Sequence, residues 1–338
     1  MAKKLKVALI GFGGMGHFHA TQYADQKNCE LVAIVDHCPK RFKELSASIN
    51  LGKSEDMNLK GIHQYATYEE LLTNEKPDVL DICLPGHLHA EYAIRAMQDG
   101  MDVICEKPMA RTVAQADQMI QVSKKTGRQF MIAQCLRFNP VYNAFRDIYR
   151  KKTYGKLLRI HSMRLSGAAY GSEEPWYRDA KKSGGALLDL HLHDVDFYNY
   201  MFGLPAAVSA VGVTRVSGGI DDVLSSFIYP EGFYASAEAS WLRAGWFCNA
   251  VAIYEKATVT LSGDDIVVAK TNQNRPGATE TRKTIKGKNG YWGEIDYFTG
   301  CLKTGRKPEQ CSPESTRESI RICAALERSI HSGRTVKL

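Results

Sequence analysis

The chain reads as an α/β protein, with a doubly wound parallel (Rossmann) sheet first and then an α+β part on a large, mainly antiparallel open sheet. Three observations predict this. Apolar runs and helical patterns alternate over 6–136; a glycine-rich turn, Gly11-Phe12-Gly13-Gly14-Met15-Gly16, joins the first run to the first helix; and beyond it the runs follow one another with hairpin residues between them.

Val7–Ile10 is the first buried-type strand, and the helix after the glycine turn runs to about Lys27. Leu31–Val35 is the second strand and closes at Asp36. Pro39 suits a first helical turn, and Phe42, Leu45 and Ile49 give that helix an apolar stripe. A polar stretch, 51–61, leads to a weak strand at Ile62–Ala66, and Thr67 and Glu70 have capping-box spacing. Val79–Leu84 and Val103–Cys105 are buried strands around a helix near His89–Gln98 that stops at Gly100. Thr112 and Gln115 open a further helix, Gly127 ends it, and Phe130–Cys135 is the sixth strand. This is the βαβ pattern of a nucleotide-binding domain over 1–135, with a substrate-binding and oligomerisation domain expected over 136–338.

After a helix at Val141–Arg150 the strands expected are Leu157–Leu165, Val208–Val216, Val223–Tyr229, Tyr234–Trp241, Ala250–Ile253, Ala257–Leu261 and Ile266–Lys270. Pro230-Glu231-Gly232 and Ser262-Gly263 mark turns between them. One strong helix, Ala186–Phe202, interrupts the series, and helices at about 291–303 and 314–332 close it. Such a sheet has a face that its own helices leave open, so a homodimer or homotetramer through it is expected.

Composition narrows the class. The 338 residues leave room for two cores, and 44% hydrophobic residues with a net charge of +7 exclude a disordered chain. No apolar run approaches the ~18 residues of a membrane span, and the start of the chain lacks the pattern of a signal peptide. The nine cysteines are scattered without a C-x-x-C pair, which implies reduced thiols and a cytoplasmic protein. Basic residues form isolated doublets and one cluster, Arg282 to Lys288, with no interleaved aromatics, so no nucleic-acid partner is expected.

Three constellations carry chemistry. In the first, Gly11 permits a tight turn, Gly13 lets backbone approach a pyrophosphate, and Gly16 lets the helix pack on the strand. Asp36, ending the next strand, would accept from ribose hydroxyls and repel a 2′-phosphate, favouring NAD over NADP; Arg41 nearby is the residue that could serve a phosphate instead. The second is Cys105-Glu106-Lys107-Pro108, where a lysine at a strand's carboxyl end could polarise a substrate hydroxyl; a lone lysine there is as readily a surface residue. In the third, Asp189 and His193 stand four apart on an expected helix, either a carboxylate orienting a general base or a pair stabilising the helix. His17-x-His19, His87-x-His89 and His191-x-His193 lack third ligands, so no metal site is expected.

Together these residues closely resemble the Gfo/Idh/MocA (glucose–fructose oxidoreductase and inositol dehydrogenase) family over essentially the whole chain. The match includes Gly11–Gly16, Leu84-Pro85-x-x-x-His89, Glu106-Lys107-Pro108, the Gly184-to-His193 segment and the closing Ser332-Gly333-Arg334-Thr335-Val336. The chain departs from the family's usual Pro-Asn with Pro85-Gly86. The resemblance implies that Lys107, Asp189 and His193 meet at a nicotinamide, with a Lys-Pro bond that is often cis. It implies that Gly11, Phe12, Gly13, Met15 and Gly16 hold the pyrophosphate and Asp36 the ribose, while Leu84, Pro85 and His89 line the cofactor cleft beside Glu106. Arg137, Asn139, Trp176 and Tyr291 fall where substrate is often contacted; hinge or core roles fit them equally well.

The expected activity is hydride transfer between a secondary alcohol of a sugar, cyclitol or polyol and NAD. Two alternatives stand beside it: an NAD-dependent glycosidase or lyase that needs the same residues and works through a transient 3-keto sugar, and a non-catalytic NAD-sensing protein, against which the intact Lys107, Asp189 and His193 set argues.

Overall fold

The computed structural model describes residues 3–44, 46, 48–49, 52–54, 56–167, 175–271 and 277–338. The chain divides into two units: Met1–Cys135 with Tyr291–Arg317, and Leu136–Gly290 with Glu318–Leu338. Residues 291–317, read from sequence as part of the second domain, therefore pack with the first. Tyr291 explains why: its ring sits edge-on to Phe18 at 4.9 Å between centroids and to His19 at 5.9 Å.

In the first unit, β1 (Leu5–Ile10), α1 (Gly14–Gln22), β2 (Cys29–Val35), β3 (His63–Tyr65), β4 (Val79–Ile82), α2 (His89–Gln98), β5 (Asp102–Glu106), α3 (Val113–Thr126) and β6 (Phe130–Ala133) follow the expected alternation. The strands form one parallel sheet in the order β3-β2-β1-β4-β5-β6. Val7, Leu9, Ile34, Leu80, Val103 and Ile132 are buried in it, as a sheet covered on both faces requires. The order reverses between β1 and β4, and ligands of such sheets bind outside the carboxyl ends of the strands at that reversal. The Thr67–Glu70 capping box forms, and Gly127 ends α3 in the left-handed conformation.

One expected helix does not form among the described residues. Arg41–Lys43 makes a single 3₁₀ turn, and Ser48–Ile49 pairs with Gly52–Lys53 as a two-residue hairpin. The stripe residue Leu45 lies outside the described residues.

The second unit is built on a nine-stranded sheet, antiparallel except for one parallel pair, Leu157–Gly167 with Tyr234–Ser240. The strand expected at Ala250–Ile253 is the end of a 13-residue strand, Leu242–Tyr254. Ala278–Thr284 is an added edge strand, exposed at every residue. It has no apolar period to read, and its Arg282 and Lys283 place charge on a sheet edge, which discourages edge-to-edge pairing. The basic cluster in the sequence is thus partly an edge guard. On one face, Val211, Leu224, Ile228 and Tyr234 are exposed, two of them strongly (Val211 66%, Tyr234 52%), and Val211 pairs with Leu224 and Ile228 with Tyr234 across neighbouring strands.

The helix expected over Ala186–Phe202 is broken into Gly185–Asp189 and Leu192–Phe202. The Ala186 carbonyl accepts from both the Leu190 and His191 amides, at 3.0 and 2.8 Å, so the ladder slips and restarts from the His191 carbonyl. The second helix is pinned by two buried acids. Asp194 accepts from Arg164 at 2.8 and 3.2 Å, and Asp196 from Arg137 at 2.8 and 2.7 Å and from Ser319 at 2.7 Å. None of the nine cysteines is in a disulfide, and among the described residues no helix is long and apolar enough to cross a membrane.

Removing one partner of a buried pair strands the other charge. Asp194→Leu should lower the unfolding free energy by about 3–5 kcal/mol in urea titration, and Arg164→Met/Asp194→Leu together by distinctly less. Equal losses for the single and double variants would contradict this.

Candidate active site

The glycine turn is shaped by three different demands. Gly11 has φ +92°, and a side chain there would begin 2.7 Å from the Cys83 carbonyl oxygen at the end of β4. A Cβ at Gly16 would lie 1.9 Å from the Gly11 oxygen, so that glycine lets α1 close onto the turn. Gly13 differs: its φ is −79°, which any residue adopts, and a Cβ would meet nothing within 4 Å. The fold does not require a glycine at 13. The open space lies at the N-cap of α1, which no side chain fills, and backbone amides with a helix N-terminus suit a phosphate. These residues fit a dinucleotide.

Asp36 is almost fully buried, and its oxygens accept from the Phe12 amide at 2.6 Å, the Cys38 amide at 2.8 Å and Arg41 at 2.9 and 3.2 Å. Asp36 thus ties β2 to the glycine turn, and Arg41 lies over the carboxylate that would receive a ribose. Phe12 is buried, stacked on His17 at 3.7 Å, and Met15 is half-buried.

At the end of β5, Lys107 is half-buried and the Lys107–Pro108 peptide is cis. The Lys107 amide donates to Glu106 Oε2 at 2.9 Å. Leu84 and Pro85, half-buried, lead into Gly86, where a Cβ would stand 3.1 Å from two atoms of the Pro108 ring. This departure from Pro-Asn therefore has a local steric correlate. His89 was expected to line the cofactor cleft; it is buried, and its ring nitrogens lie 2.7 Å from the Leu84 and Pro108 carbonyls. It latches the Leu84 turn to the Lys107 turn, and burial pulls its pKa down.

Behind this turn lies a cluster that motif reading did not find. His19 Nδ1 is 3.0 Å from Asp81, and Nε2 is 3.0 Å from Glu106 and 3.7 Å from Glu294. Tyr23 donates to Asp81 at 2.7 Å. His19, Asp81 and Glu294 are fully buried. Two trios that share His19, one with Asp81 and Cys83 and one with Glu106 and Glu294, lie within reach of an ion. Both ring nitrogens already face carboxylates at hydrogen-bond distance, however, which is the arrangement of a protonated imidazole rather than a ligand. The signal available in the sequence was Asp81, a charge inside the apolar run Val79–Ile82.

In the second unit, Asp189 ends one helix and His193 lies in the first turn of the next; both are half-buried. Their spacing is not that of a continuous helix, because of the slip at Leu190–His191. His191 is buried, 2.7 Å from Ser225 Oγ, and burial pushes its pKa down to about 4. Arg137, expected at the substrate, is 1% exposed and held by Asp196. Asn139 caps the Pro140–Arg150 helix by accepting from the Val141 amide at 3.0 Å. Trp176 stacks on Tyr177 at 3.8 Å. Tyr291, in the first unit, is packed against Phe18 and His19, and burial raises its hydroxyl pKa.

Comparison with known proteins agrees with this architecture. The oxidoreductase family with an NAD-binding Rossmann fold matches residues 5–134, and the GFO/IDH/MocA C-terminal domain matches residues 142–263. A trans-1,2-dihydrobenzene-1,2-diol dehydrogenase of Mus musculus is 30% identical over 62% of this chain and 60% of its own. A D-glucoside 3-dehydrogenase of Escherichia coli (strain K12) is 27% identical over 61% of this chain and 56% of its own. The chain thus spans about six-tenths of the length of these two curated relatives. The crystal structure of an aldose-aldose oxidoreductase from Caulobacter crescentus, complexed with glycerol, superposes with a TM-score of 0.84 at 24% identity, covering 99% of this chain and 100% of that one.

Gly13, the N-cap of α1, and Gly16 within that helix separate a ligand demand from a folding demand. Gly13→Ala should leave stability within about 0.5 kcal/mol, an ordinary surface change, yet weaken NAD binding in calorimetric titration by at least about tenfold. Gly16→Ala should instead cost on the order of 1–3 kcal/mol or more, because backbone must shift. Unaltered NAD affinity in Gly13→Ala would contradict the assignment.

Proposed function

The chain belongs to the Gfo/Idh/MocA family of oxidoreductases, and we propose that it is an NAD-dependent dehydrogenase oxidising a secondary alcohol of a sugar, cyclitol or related polyol. The observation that carries this reading is the placement of Lys107. It stands at the carboxyl end of β5, next to the Gly86 turn, while the strand before that turn ends against Gly11. A lysine therefore stands two strands along from the dinucleotide turn, where the reactive end of an extended cofactor falls. The names of the glucoside dehydrogenase and aldose oxidoreductase relatives support a carbohydrate as substrate.

In this reading Gly11, Phe12, Gly13, Met15 and Gly16 hold the pyrophosphate, and Asp36 takes the adenosine ribose once Arg41 turns aside. Bound NAD supplies the two-electron acceptor for the carbinol hydrogen, chemistry that side chains lack. His193, oriented by Asp189, removes the hydroxyl proton, and the Lys107 ammonium stabilises the negative charge growing on that oxygen. Asn139 and Trp176 contact the substrate, whereas the Arg137 guanidinium is spent on Asp196. NAD is preferred to NADP because the Asp36 carboxylate opposes a 2′-phosphate. The apolar sheet face around Val211, Leu224, Ile228 and Tyr234 buries itself against a second copy, and the enzyme works in the cytoplasm.

Purified protein should form NADH, read by absorbance, with some member of a panel of sugars and cyclitols, and do so less well with NADP⁺. Lys107→Ala should lower kcat by at least about 10²-fold, the scale of a lost electrostatic stabiliser, with NAD affinity nearly unchanged. Full activity in that variant would sink the role of Lys107. Cleavage of an aryl glycoside with no net NADH would identify the redox-assisted glycosidase instead. In sedimentation, Leu224→Glu/Ile228→Glu should shift the protein to monomer; an unshifted oligomer would place the interface elsewhere.

A further inference from the structure

The buried cluster under α1 joins two parts of the site that the reaction scheme treats separately. His19 projects from the helix whose N-terminus holds the phosphates in the proposed reading. One of its nitrogens meets Asp81 on β4, and the other meets Glu106 Oε1 at the end of β5. The second oxygen of Glu106 accepts the Lys107 amide. Both Glu106 oxygens are thus engaged inside the protein, and one carboxylate links the helix to the lysine.

Proton bookkeeping settles the form of the ring. A neutral imidazole donates from one nitrogen only, so facing two carboxylates it would set a lone pair against an oxygen. A doubly protonated ring donates to both, and a charge-assisted pair on each side offsets the loss of hydration. The remaining acid, Glu294, is fully buried, and neither of its oxygens has a hydrogen-bond partner among the described residues. A carboxylate in that condition is far costlier than a carboxyl group, so Glu294 holds its proton, and burial with the nearby Glu106 and Asp81 raises its pKa well above the usual value despite His19. The other titratable groups facing the ring are Cys83, Tyr23 and Tyr291. Burial opposes charging of His19, the adjacent Asp81 carboxylate favours it, and its pKa stands well above the ordinary value.

We propose that His19 is a permanent imidazolium that acts as a positioning residue, clamping Glu106 and through it the backbone of Lys107 to the phosphate-binding helix. The inference rests on the proposed dehydrogenase reading for the role of Lys107, but the charge state stands without it. A misplaced Lys107 costs turnover rather than cofactor affinity, because the phosphate contacts are made by the turn itself.

Nitrogen NMR of ¹⁵N-histidine-labelled wild-type protein without cofactor tests the charge directly, with the resonance assigned by its loss in His19→Gln. Both ring nitrogens should carry protons, with no titration between about pH 6 and 8, where ordinary histidines titrate. A neutral ring, or a titration in that range, would overturn the proposal, as would a stoichiometric metal bound through His19 in the purified protein. In kinetics His19→Gln should lose about 10- to 100-fold in kcat, the scale of an ångström-sized misplacement, with substrate KM and NAD affinity by fluorescence within about threefold. His19→Gln/Glu106→Gln should lose little more than the worse single variant, since the two act as one unit; losses that multiply would count against the clamp. Should His19→Gln not fold, assignment passes to Glu106→Gln, which should displace the His19 resonance. Should wild-type protein oxidise no alcohol, the dehydrogenase reading fails, and the ring's protonation still decides this one.

Discussion

Backbone touching backbone is the constraint on which the first unit depends. The Cys83 carbonyl lies where a side chain at Gly11 would begin, the Gly11 carbonyl lies where one at Gly16 would begin, and the Pro108 ring lies 3.1 Å from where one at Gly86 would begin. These approaches draw the ends of β1, β4 and β5 and the start of α1 into one surface. A Cβ at Gly11 or Gly16 would push neighbours apart, and the helix N-terminus would no longer face the sheet's carboxyl edge. Gly13 meets no neighbour and serves no packing need, which is why the open space beside it speaks for a ligand.

Charge does the fine positioning that packing begins. Five of the buried acids have a stated duty: Asp36 gathers the Phe12 and Cys38 amides and Arg41, Asp81 and Glu106 flank His19, and Asp194 and Asp196 hold the His193 helix through Arg164 and Arg137. Buried pairs of this kind contribute little net stability compared with apolar residues of the same shape. Their contribution is to fix where a backbone runs. Both proposed catalytic residues, Lys107 and His193, have such an anchor in immediate sequence contact: Glu106 before Lys107 and Asp194 after His193.

Much of this was legible before any coordinate. Strand–helix alternation, the glycine turn, the Thr67 cap and the Gly127 stop come from local rules, and each forms where those rules put it. What escaped depends on neighbours distant in sequence. The 42–49 stripe looked helical because its apolar spacing fits, but Arg41–Lys43 closes as one 3₁₀ turn and Ser48–Ile49 pairs with Gly52–Lys53 instead. Asp189 and His193 were placed on one helix, and the slip at the Ala186 carbonyl, beside a His191 ring buried on Ser225, broke it. Ala278–Thr284 has no buried side to announce it. Arg137 and His89 were recognised as special, but their partners, Asp196 midway along the His193 helix and the Pro108 carbonyl, lie 59 and 19 residues away, where local spacing does not show them. His19 was weighed only as half of an H-x-H pair, since its carboxylates lie 62 and 87 residues away.

The account stands or falls on where one hydrogen goes. An alcohol substrate carrying deuterium on its carbinol carbon should deliver that deuterium to C4 of the nicotinamide, seen by proton NMR of the recovered NADH, with none released to water. Deuterium in the solvent, or reduced cofactor without label, would contradict the direct transfer proposed.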